Sequence, residues 1–118
     1  MSYGESSKTG LTHNDLRMII QAAASIAEIE QLVLFGSRAK GVFKPGSDVD
    51  LVVKSNIADD GAAIGLSQLL NEELPLPYFF DVLTYHRIQE PCLLEHIDRV
   101  GIVLFDRRNP SIPEVIGE

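Results

Sequence analysis

Apolar and polar residues alternate along this chain with two periodicities, one typical of helices and one typical of strands. After a polar start, Thr12 begins a segment with apolar side chains at helical spacing, and Asp15 completes a capping pattern with Thr12. Apolar runs predict strands at residues 31–35, 48–54, 78–85 and 102–105. Spacing and stop signals predict further helices at residues 37–41 and 61–74, and from Pro91 to Gly101. Helices therefore alternate with strands, which predicts an α/β domain.

The predicted elements fit a single domain. The chain has 118 residues, enough for one modest core. We expect a flexible N-terminal arm at residues 1–11, the folded domain at residues 12–105 and a C-terminal tail at residues 106–118. The sheet should contain three or four strands, with the short strand at residues 102–105 at an edge.

Charge and composition narrow the range of functions. The chain carries 10 Lys and Arg against 17 Asp and Glu, a net charge of −7, which argues against direct binding of nucleic acid. It has no apolar stretch of about eighteen residues for a membrane span, and its polar start lacks a signal-peptide core. The single cysteine, Cys92, excludes an internal disulfide and fits a reducing compartment. We therefore expect a cytoplasmic protein with no membrane association.

Two aspartates one residue apart, Asp48 and Asp50, carry the first chemical signal. Every second side chain of a strand returns to the same face, with backbone positions about 6.5 Å apart. Both carboxylates therefore point the same way. Like charges this close raise one another's pKa, and a divalent metal that prefers hard oxygen ligands, Mg²⁺ or Mn²⁺, is the usual solution.

A Gly36-Ser37 pair carries the second signal. It follows the apolar run at residues 32–35 and opens the short predicted helix, where free backbone N–H groups can bind phosphate. A Walker-type phosphate loop is excluded, because Gly41 is followed by Val42 and not by Lys and then Ser or Thr. A carboxylate pair beside a phosphate-binding turn suggests chemistry on a nucleoside triphosphate.

The order of these motifs resembles the polymerase-β-type nucleotidyltransferases, and most closely their smallest members, the minimal nucleotidyltransferases (MNT). The shared pattern is an apolar strand, Gly-Ser, an Asp-hydrophobic-Asp-hydrophobic stretch and a third carboxylate flanked by apolar residues on a later strand. Residues 78–84, Tyr-Phe-Phe-Asp-Val-Leu-Thr, supply Asp81 in that setting. The resemblance covers residues 12–105 and implies a polymerase-β-like fold, with a small mixed sheet flanked by helices.

The resemblance also implies a metal site. Asp48 and Asp50 would hold two Mg²⁺ ions, with Mn²⁺ as an alternative metal. Asp81 would bind the second ion and could accept the proton of the attacking hydroxyl. All three carboxylates would then be catalytic residues and metal ligands.

The same resemblance implies a nucleotide site at the glycine-serine turn. Gly36 would allow phosphate to approach closely, and Ser37 would donate its hydroxyl and backbone N–H to the β- or γ-phosphate. Arg38 is the first candidate for positive charge beside the leaving pyrophosphate, ahead of Lys40. ATP as the substrate follows from the resemblance alone, because no residue plainly reads an adenine edge.

In the resembled family, an MNT protein is typically paired with a small helical HEPN protein encoded beside it. The pair is a toxin-antitoxin module in which the MntA-like antitoxin moves AMP from ATP onto a tyrosine of the toxin. The resemblance thus implies an ATP-dependent adenylyltransferase that acts on a HEPN-domain partner protein. The chain could also form homo-oligomers or hetero-oligomers.

Two other classes of function stay open. The chain could be an antitoxin that neutralises its partner by binding alone, although the presence of Asp48, Asp50 and Asp81 together argues against a decayed site. It could instead transfer a nucleotide to a small molecule, with a helical partner subunit completing the pocket. The three histidines show no metal-ligand spacing, and we expect them to be surface residues. They are His13, His86 and His96.

Overall fold

The computed structural model describes residues 2–3 and 9–109 of the chain. In these ranges the strands are β1 (Ser2–Tyr3), β2 (Ile29–Phe35), β3 (Val49–Ser55), β4 (Phe80–Thr84) and β5 (Ile102–Asp106). The helices are α1 (His13–Ala24), α2 (Gly36–Lys40), α3 (Gly61–Gln68) and α4 (Pro91–Val100), with a π-helical turn at Leu69–Glu73 and a 3-10 turn at Tyr85–Arg87. The predicted alternation of helices and strands is confirmed. In this part of the chain, no helix is long and apolar enough to cross a lipid bilayer.

The strands form one mixed sheet in the order β1-β5-β2-β3-β4. Strand β2 is antiparallel to both β3 and β5, whereas β3 is parallel to β4 and β5 is parallel to β1. The mixed sheet is confirmed, with β1 as an additional short strand. The prediction that residues 102–105 form an edge strand is wrong, because β1 pairs with the outer side of β5. The polar N-terminal sequence carries no strand signal, so this pairing could not be predicted.

The folded domain extends beyond the predicted bounds, into both the predicted N-terminal arm and the predicted C-terminal tail. Ser2–Tyr3, within the predicted N-terminal arm, pairs with β5, and Leu11 is buried in the core. Strand β5 continues to Asp106, one residue into the predicted tail. Residues 110–118 of that tail lie outside the described residues.

Helix α1 begins at the predicted capping box. The backbone N–H of Asp15 donates to Thr12 Oγ1 at 2.9 Å, and the backbone N–H of Thr12 donates to Asp15 Oδ2 at 3.0 Å. Two N–H groups at the helix start are thus satisfied by side chains. The helix ends at Ala24, and Ser25 is its C-cap residue.

The sheet separates two apolar layers of different size. The larger layer joins one sheet face to α1 and α3, and its fully buried strand residues include Leu32, Leu34, Leu51, Val53 and Leu104. The smaller layer joins the opposite face to α4, and its buried members are Val33, Phe35, Val52, Ile97 and Val103. Alternation along each strand, with a period of two, assigns neighbouring residues to opposite layers.

The predicted helix at residues 61–74 changes geometry before it ends. Helix α3 stops at Gln68 and the chain continues as the π-helical turn. Asn71 in this turn donates from Nδ2 to the carbonyl oxygen of Phe80 at 2.9 Å, and its Oδ1 accepts from the Phe80 N–H at 2.8 Å. The Asn71 side chain therefore satisfies the backbone N–H and carbonyl groups of Phe80 at the start of β4, as a neighbouring strand would.

The apolar layer under α3 gives a test of the fold. Leu66 is fully buried, whereas Ile64 on the same helix is 63% exposed. We expect Leu66→Ala to lower the free energy of unfolding by about 2–5 kcal/mol, because it removes buried methyl groups and leaves a cavity. The matched change Ile64→Ala should cost less than about 0.5 kcal/mol. Urea denaturation measures both, and equal losses would contradict the assignment of the two helix faces.

Candidate active site

The register of β3 between its two neighbours builds the centre of the site. Asp50 lies opposite Phe35 of the antiparallel strand β2 and opposite Asp81 of the parallel strand β4. Paired residues of neighbouring strands project to the same face of a sheet, so Asp50 and Asp81 are neighbours on the α4 side. Because Phe35 is the last residue of β2, the Gly36 turn begins beside the same carboxylate.

Asp48 lies just before β3 and extends the same row. The pairing of the two parallel strands begins one residue before β4, since the N–H of Val49, the first residue of β3, donates to the carbonyl oxygen of Phe79 at 2.9 Å. Asp48 and Asp81 are exposed, and Asp50 is half-buried. The structure therefore brings together the three carboxylates that the sequence singled out.

The electrostatics of Asp50 reflect its burial and its charged neighbours. Burial raises the pKa of the Asp50 carboxyl above its ordinary value, the negative charges of Asp81 and Asp48 raise it further, and His96 lowers it. No hydrogen bond or ion pair joins any of the three carboxylates to another residue within the described ranges. Negative charge at the site is thus left largely uncompensated by the protein.

Gly36 brings its backbone close to the Asp50 carboxylate. Its φ is +78°, in the left-handed region that favours glycine, and a Cβ atom placed on it would overlap Oδ2 of Asp50 and lie 3.1 Å from Asp50 Cγ. Ser37 follows as a half-buried residue, and its Oγ has no hydrogen-bond partner among the residues that are described. The turn therefore places a free hydroxyl and a side-chain-free backbone segment beside Asp50.

The donor set has the chemistry of a divalent cation site. The three carboxylates provide hard oxygen ligands, and the charges of Asp48 and Asp81 contribute to the raised pKa of Asp50. Within the described chain, no basic side chain forms an ion pair with any of them, so their negative charge is unbalanced. In the present side-chain conformation, no three His, Cys, Asp or Glu side chains of the described residues are grouped closely enough to coordinate one ion. Carboxylate rotation would be needed to complete coordination.

Arg38 and Lys40, the two basic candidates, occupy different environments. Lys40 is exposed on α2, whereas Arg38 is only 2% exposed. The Arg38 guanidinium donates to the carbonyl oxygens of Thr9 and Ser47. These contacts account for its burial without a phosphate, and its role in nucleotide binding stays a prediction.

His96 is a site neighbour that the sequence did not reveal. His13 and His86 are exposed, as predicted, but His96 is half-buried, with its ring centroid 6.3 Å from that of Phe35 in an edge-to-face arrangement. Its position next to Ile97, which anchors α4 to the sheet, explains its proximity to Asp50. Only knowledge of which sheet face α4 covers could have indicated it.

The comparisons with known proteins agree with this geometry. The sequence model described as "Polymerase beta, Nucleotidyltransferase" matches residues 17–110. The chain belongs to this nucleotidyltransferase family, and it has the polymerase-β-like fold that the motif order implied. No curated protein sequence matched the chain.

Several solved structures share the fold. A chain from a crystal structure of a toxin-antitoxin with AMP-PNP has a TM-score of 0.65 and 22% identity, over 87% of this chain and 81% of that one. A chain from a rebuilt complex of a tri-AMPylated Shewanella oneidensis HEPN toxin with an MNT antitoxin has a TM-score of 0.55 and 20% identity. The match covers 92% of this chain and 80% of that one. A putative nucleotidyltransferase from Sulfolobus solfataricus has a TM-score of 0.54 and 16% identity, and the match covers 93% of this chain and 96% of that one. At these identities the similarity establishes the fold, and the structural neighbours include MNT antitoxin complexes.

The close approach of Gly36 to Asp50 gives the first test of the site. Gly36 and Gly46 have similar φ values of +78° and +82°, but a Cβ on Gly46 would have no atom within 4 Å. Gly46→Ala should therefore cost about 1–2 kcal/mol of stability from backbone strain alone. Gly36→Ala should cost about 1–2 kcal/mol more, because Asp50 must move. Thermal unfolding measures both, and Asp50→Ala should remove the excess; equal losses would contradict the contact.

The raised pKa of Asp50 gives a prediction of pH dependence. The folded protein binds the Asp50 proton more tightly than the unfolded chain does. The resulting stability is fully present below the unfolded-chain pKa and is lost as the pH rises through the folded-state pKa. In EDTA at pH 7, Asp50→Asn should therefore unfold at a higher temperature than the wild type, and the difference should shrink below the ordinary Asp pKa. A wild-type protein that is the more stable at pH 7 would contradict the raised pKa of Asp50.

Proposed function

We propose that this chain is a Mg²⁺-dependent nucleotidyltransferase that moves AMP from ATP onto a hydroxyl of a partner protein. The observation that carries the proposal is the register that sets Asp50 opposite both Asp81 and the residue before the Gly36 turn. Membership of the nucleotidyltransferase family supports the reaction type. The AMP-PNP and AMPylated-toxin complexes among the structural neighbours support ATP as the donor and a HEPN toxin as the acceptor.

The glycine-serine turn would bind the triphosphate. Gly36 presents no side chain, so a phosphate oxygen can come close to the backbone where a Cβ would otherwise lie. The Ser37 hydroxyl, which has no partner within the described residues, is free to donate to the phosphate oxygens. The turn would thereby align the α-phosphate with the row of carboxylates.

The three carboxylates would hold Mg²⁺ or Mn²⁺ and complete the reaction centre. Asp48, Asp50 and Asp81 would be the metal ligands, and Asp81 would also face the acceptor hydroxyl. The bound metal would supply neutralisation of the phosphate charge and a lower pKa for the acceptor hydroxyl.

The transfer balances as a displacement at the α-phosphorus. A bond forms between the acceptor oxygen and the α-phosphorus, and the bond from that phosphorus to the oxygen bridging to the β-phosphate breaks. Pyrophosphate leaves with the electron pair of the broken bond. The proton of the acceptor hydroxyl passes to Asp81. Asp81→Asn should therefore damage transfer more than it damages nucleotide binding.

A transfer assay tests the proposal. The purified chain is incubated with Mg²⁺, the helical HEPN-domain protein proposed as its acceptor and ATP labelled at either the α- or the γ-phosphate. We expect label on the helical protein from α-labelled ATP alone, because the AMP part is transferred. Asp48→Asn and Asp50→Asn should each lower the rate about a hundredfold or more, through loss of a metal ligand. Asp59→Asn, a matched change at an exposed aspartate outside the site, should leave the rate within about twofold.

The other outcomes identify other functions. Tight binding of the two proteins without label would overturn the transfer reaction and support neutralisation by binding alone. Label on an added small-molecule acceptor, with none on the protein, would overturn the choice of acceptor. Full transfer by the doubly substituted Asp48→Asn, Asp50→Asn chain would overturn the metal site.

A further inference from the structure

Arg38 is a buried cation directly beneath the loop that carries Asp48. Its Nε and Nη2 donate to the carbonyl oxygen of Ser47 at 3.2 and 2.9 Å, and its Nη1 donates to the carbonyl oxygen of Thr9 at 2.9 Å. The guanidinium carbon lies 4.8 Å from the ring centroid of Phe43 and 5.0 Å from that of Tyr78. Three of its five N–H donors are therefore directed at two main-chain oxygens while two aromatic rings cover it.

Burial of the Arg38 guanidinium costs free energy unless its N–H groups find well-placed acceptors. An isolated buried charge is strongly unfavourable, and Arg38 forms no ion pair with an acidic side chain of the described residues. Carbonyl oxygens and aromatic faces replace the missing counter-ion. Tyr78 is itself fixed, since its hydroxyl donates to Oδ2 of Asp15 at 2.7 Å. The capping box of α1 thus supports one wall of the Arg38 pocket.

The loop between α2 and β3 depends on this anchor. At its tip, the Ser47 N–H donates to the carbonyl oxygen of Lys44 at 3.0 Å, and the Lys44 N–H donates to Ser47 Oγ at 2.9 Å. These bonds close the turn on itself but attach it to no other element. The forked contact from Arg38 to the Ser47 carbonyl ties the turn to α2, one peptide bond before Asp48.

We propose that Arg38 is a positioning residue, which sets the Asp48 carboxylate by holding the Ser47 carbonyl against α2. The inference rests on the proposed function for its consequence, because it assigns Arg38 to the same reaction without contact to the reacting atoms. Lysine cannot replace it. A lysine ammonium lacks the planar fork that reaches the Ser47 and Thr9 carbonyls together while it stacks between two rings.

Arg107 provides a matched control at the opposite end of β2. Its Nε donates to the carbonyl oxygen of Ile29 at 2.9 Å, and its Nη2 donates to those of Ala24 and Ile26 at 3.2 and 3.0 Å. Its guanidinium carbon lies 5.1 Å from the ring centroid of Phe105. Arg107 therefore makes the same kinds of contact as Arg38, but about 20 Å along the strand from the Gly36 turn.

The test compares Arg38→Lys with Arg107→Lys. Both variants should lose thermal stability. Only Arg38→Lys should weaken Mg²⁺-dependent binding of AMP-PNP, by about tenfold in calorimetric titration, whereas Arg107→Lys should stay within about twofold. In an Asp48→Asn background, Arg38→Lys should weaken binding by less than about threefold, because its effect passes through Asp48. Equal effects of Arg38→Lys in the two backgrounds, or equal effects of the two lysine variants, would overturn the inference.

Amide hydrogen exchange separates this inference from the proposed function. We expect Arg38→Lys to speed exchange of the Ser47 N–H at least about tenfold in the metal-free protein, and Arg107→Lys to leave it unchanged. Absence of AMP-PNP binding by the wild type would overturn the proposed function, and the exchange result would then decide whether Arg38 anchors the loop. Unchanged exchange in Arg38→Lys would overturn the positioning role even if the wild type binds nucleotide.

Discussion

The register of β3 between β2 and β4 is the constraint on which the rest of the structure depends. It sets Asp50 opposite Phe35 on one side and opposite Asp81 on the other. A slip by one residue would turn Asp50 into the larger apolar layer and Leu51 out of it. That exchange would bury a charge and expose an apolar side chain. The apolar pattern that stabilises the sheet therefore also fixes the grouping of the carboxylates.

The same grouping opposes folding locally. Burial and the negative charges of Asp81 and Asp48 raise the pKa of the Asp50 carboxyl. Gly36, which packs against that carboxylate, takes a left-handed backbone conformation. Hydrogen bonds around the carboxylates oppose these unfavourable terms. Arg38 holds the chain before Asp48, and Asn71 holds Phe80, the residue before Asp81. Local strain at a functional site, compensated by the surrounding structure, is the pattern expected of a preorganised centre.

Local signals predicted most of the elements and the main site candidates. The capping box at Thr12, the apolar strands and the stop at Gly101 depend on residues close in sequence, and the structure follows them. Asp81 is predicted as a site residue because the resembled family pattern has a carboxylate on a later strand, and its role stays a prediction. Pairing of β1 with β5, the π-helical turn and the proximity of His96 to Asp50 depend on contacts between distant segments, which periodicity does not encode.

Arg38 shows the limit most clearly. A basic residue two positions after a glycine that is predicted to bind phosphate is itself a natural candidate for phosphate binding. Nothing in the sequence shows which way its side chain turns. The direction of the Arg38 side chain is set by the carbonyl oxygens of Thr9 and Ser47, which accept its hydrogen bonds. Thr9 precedes α2 in the sequence and Ser47 follows it. Short helices leave the phase of each residue undecided until the flanking loops are placed, because a single turn has no extended apolar face.

The sign of the charge at the site links its electrostatics to the choice of acceptor. Three carboxylates on a chain of net charge −7 repel a triphosphate, so a cation should be needed for nucleotide binding and not for the transfer step alone. A nucleic-acid acceptor would meet the same repulsion along its whole backbone. An acceptor hydroxyl without neighbouring phosphates, on a protein or on a small molecule, would not meet this repulsion. The electrostatics thus disfavour a nucleic-acid acceptor independently of the structural neighbours.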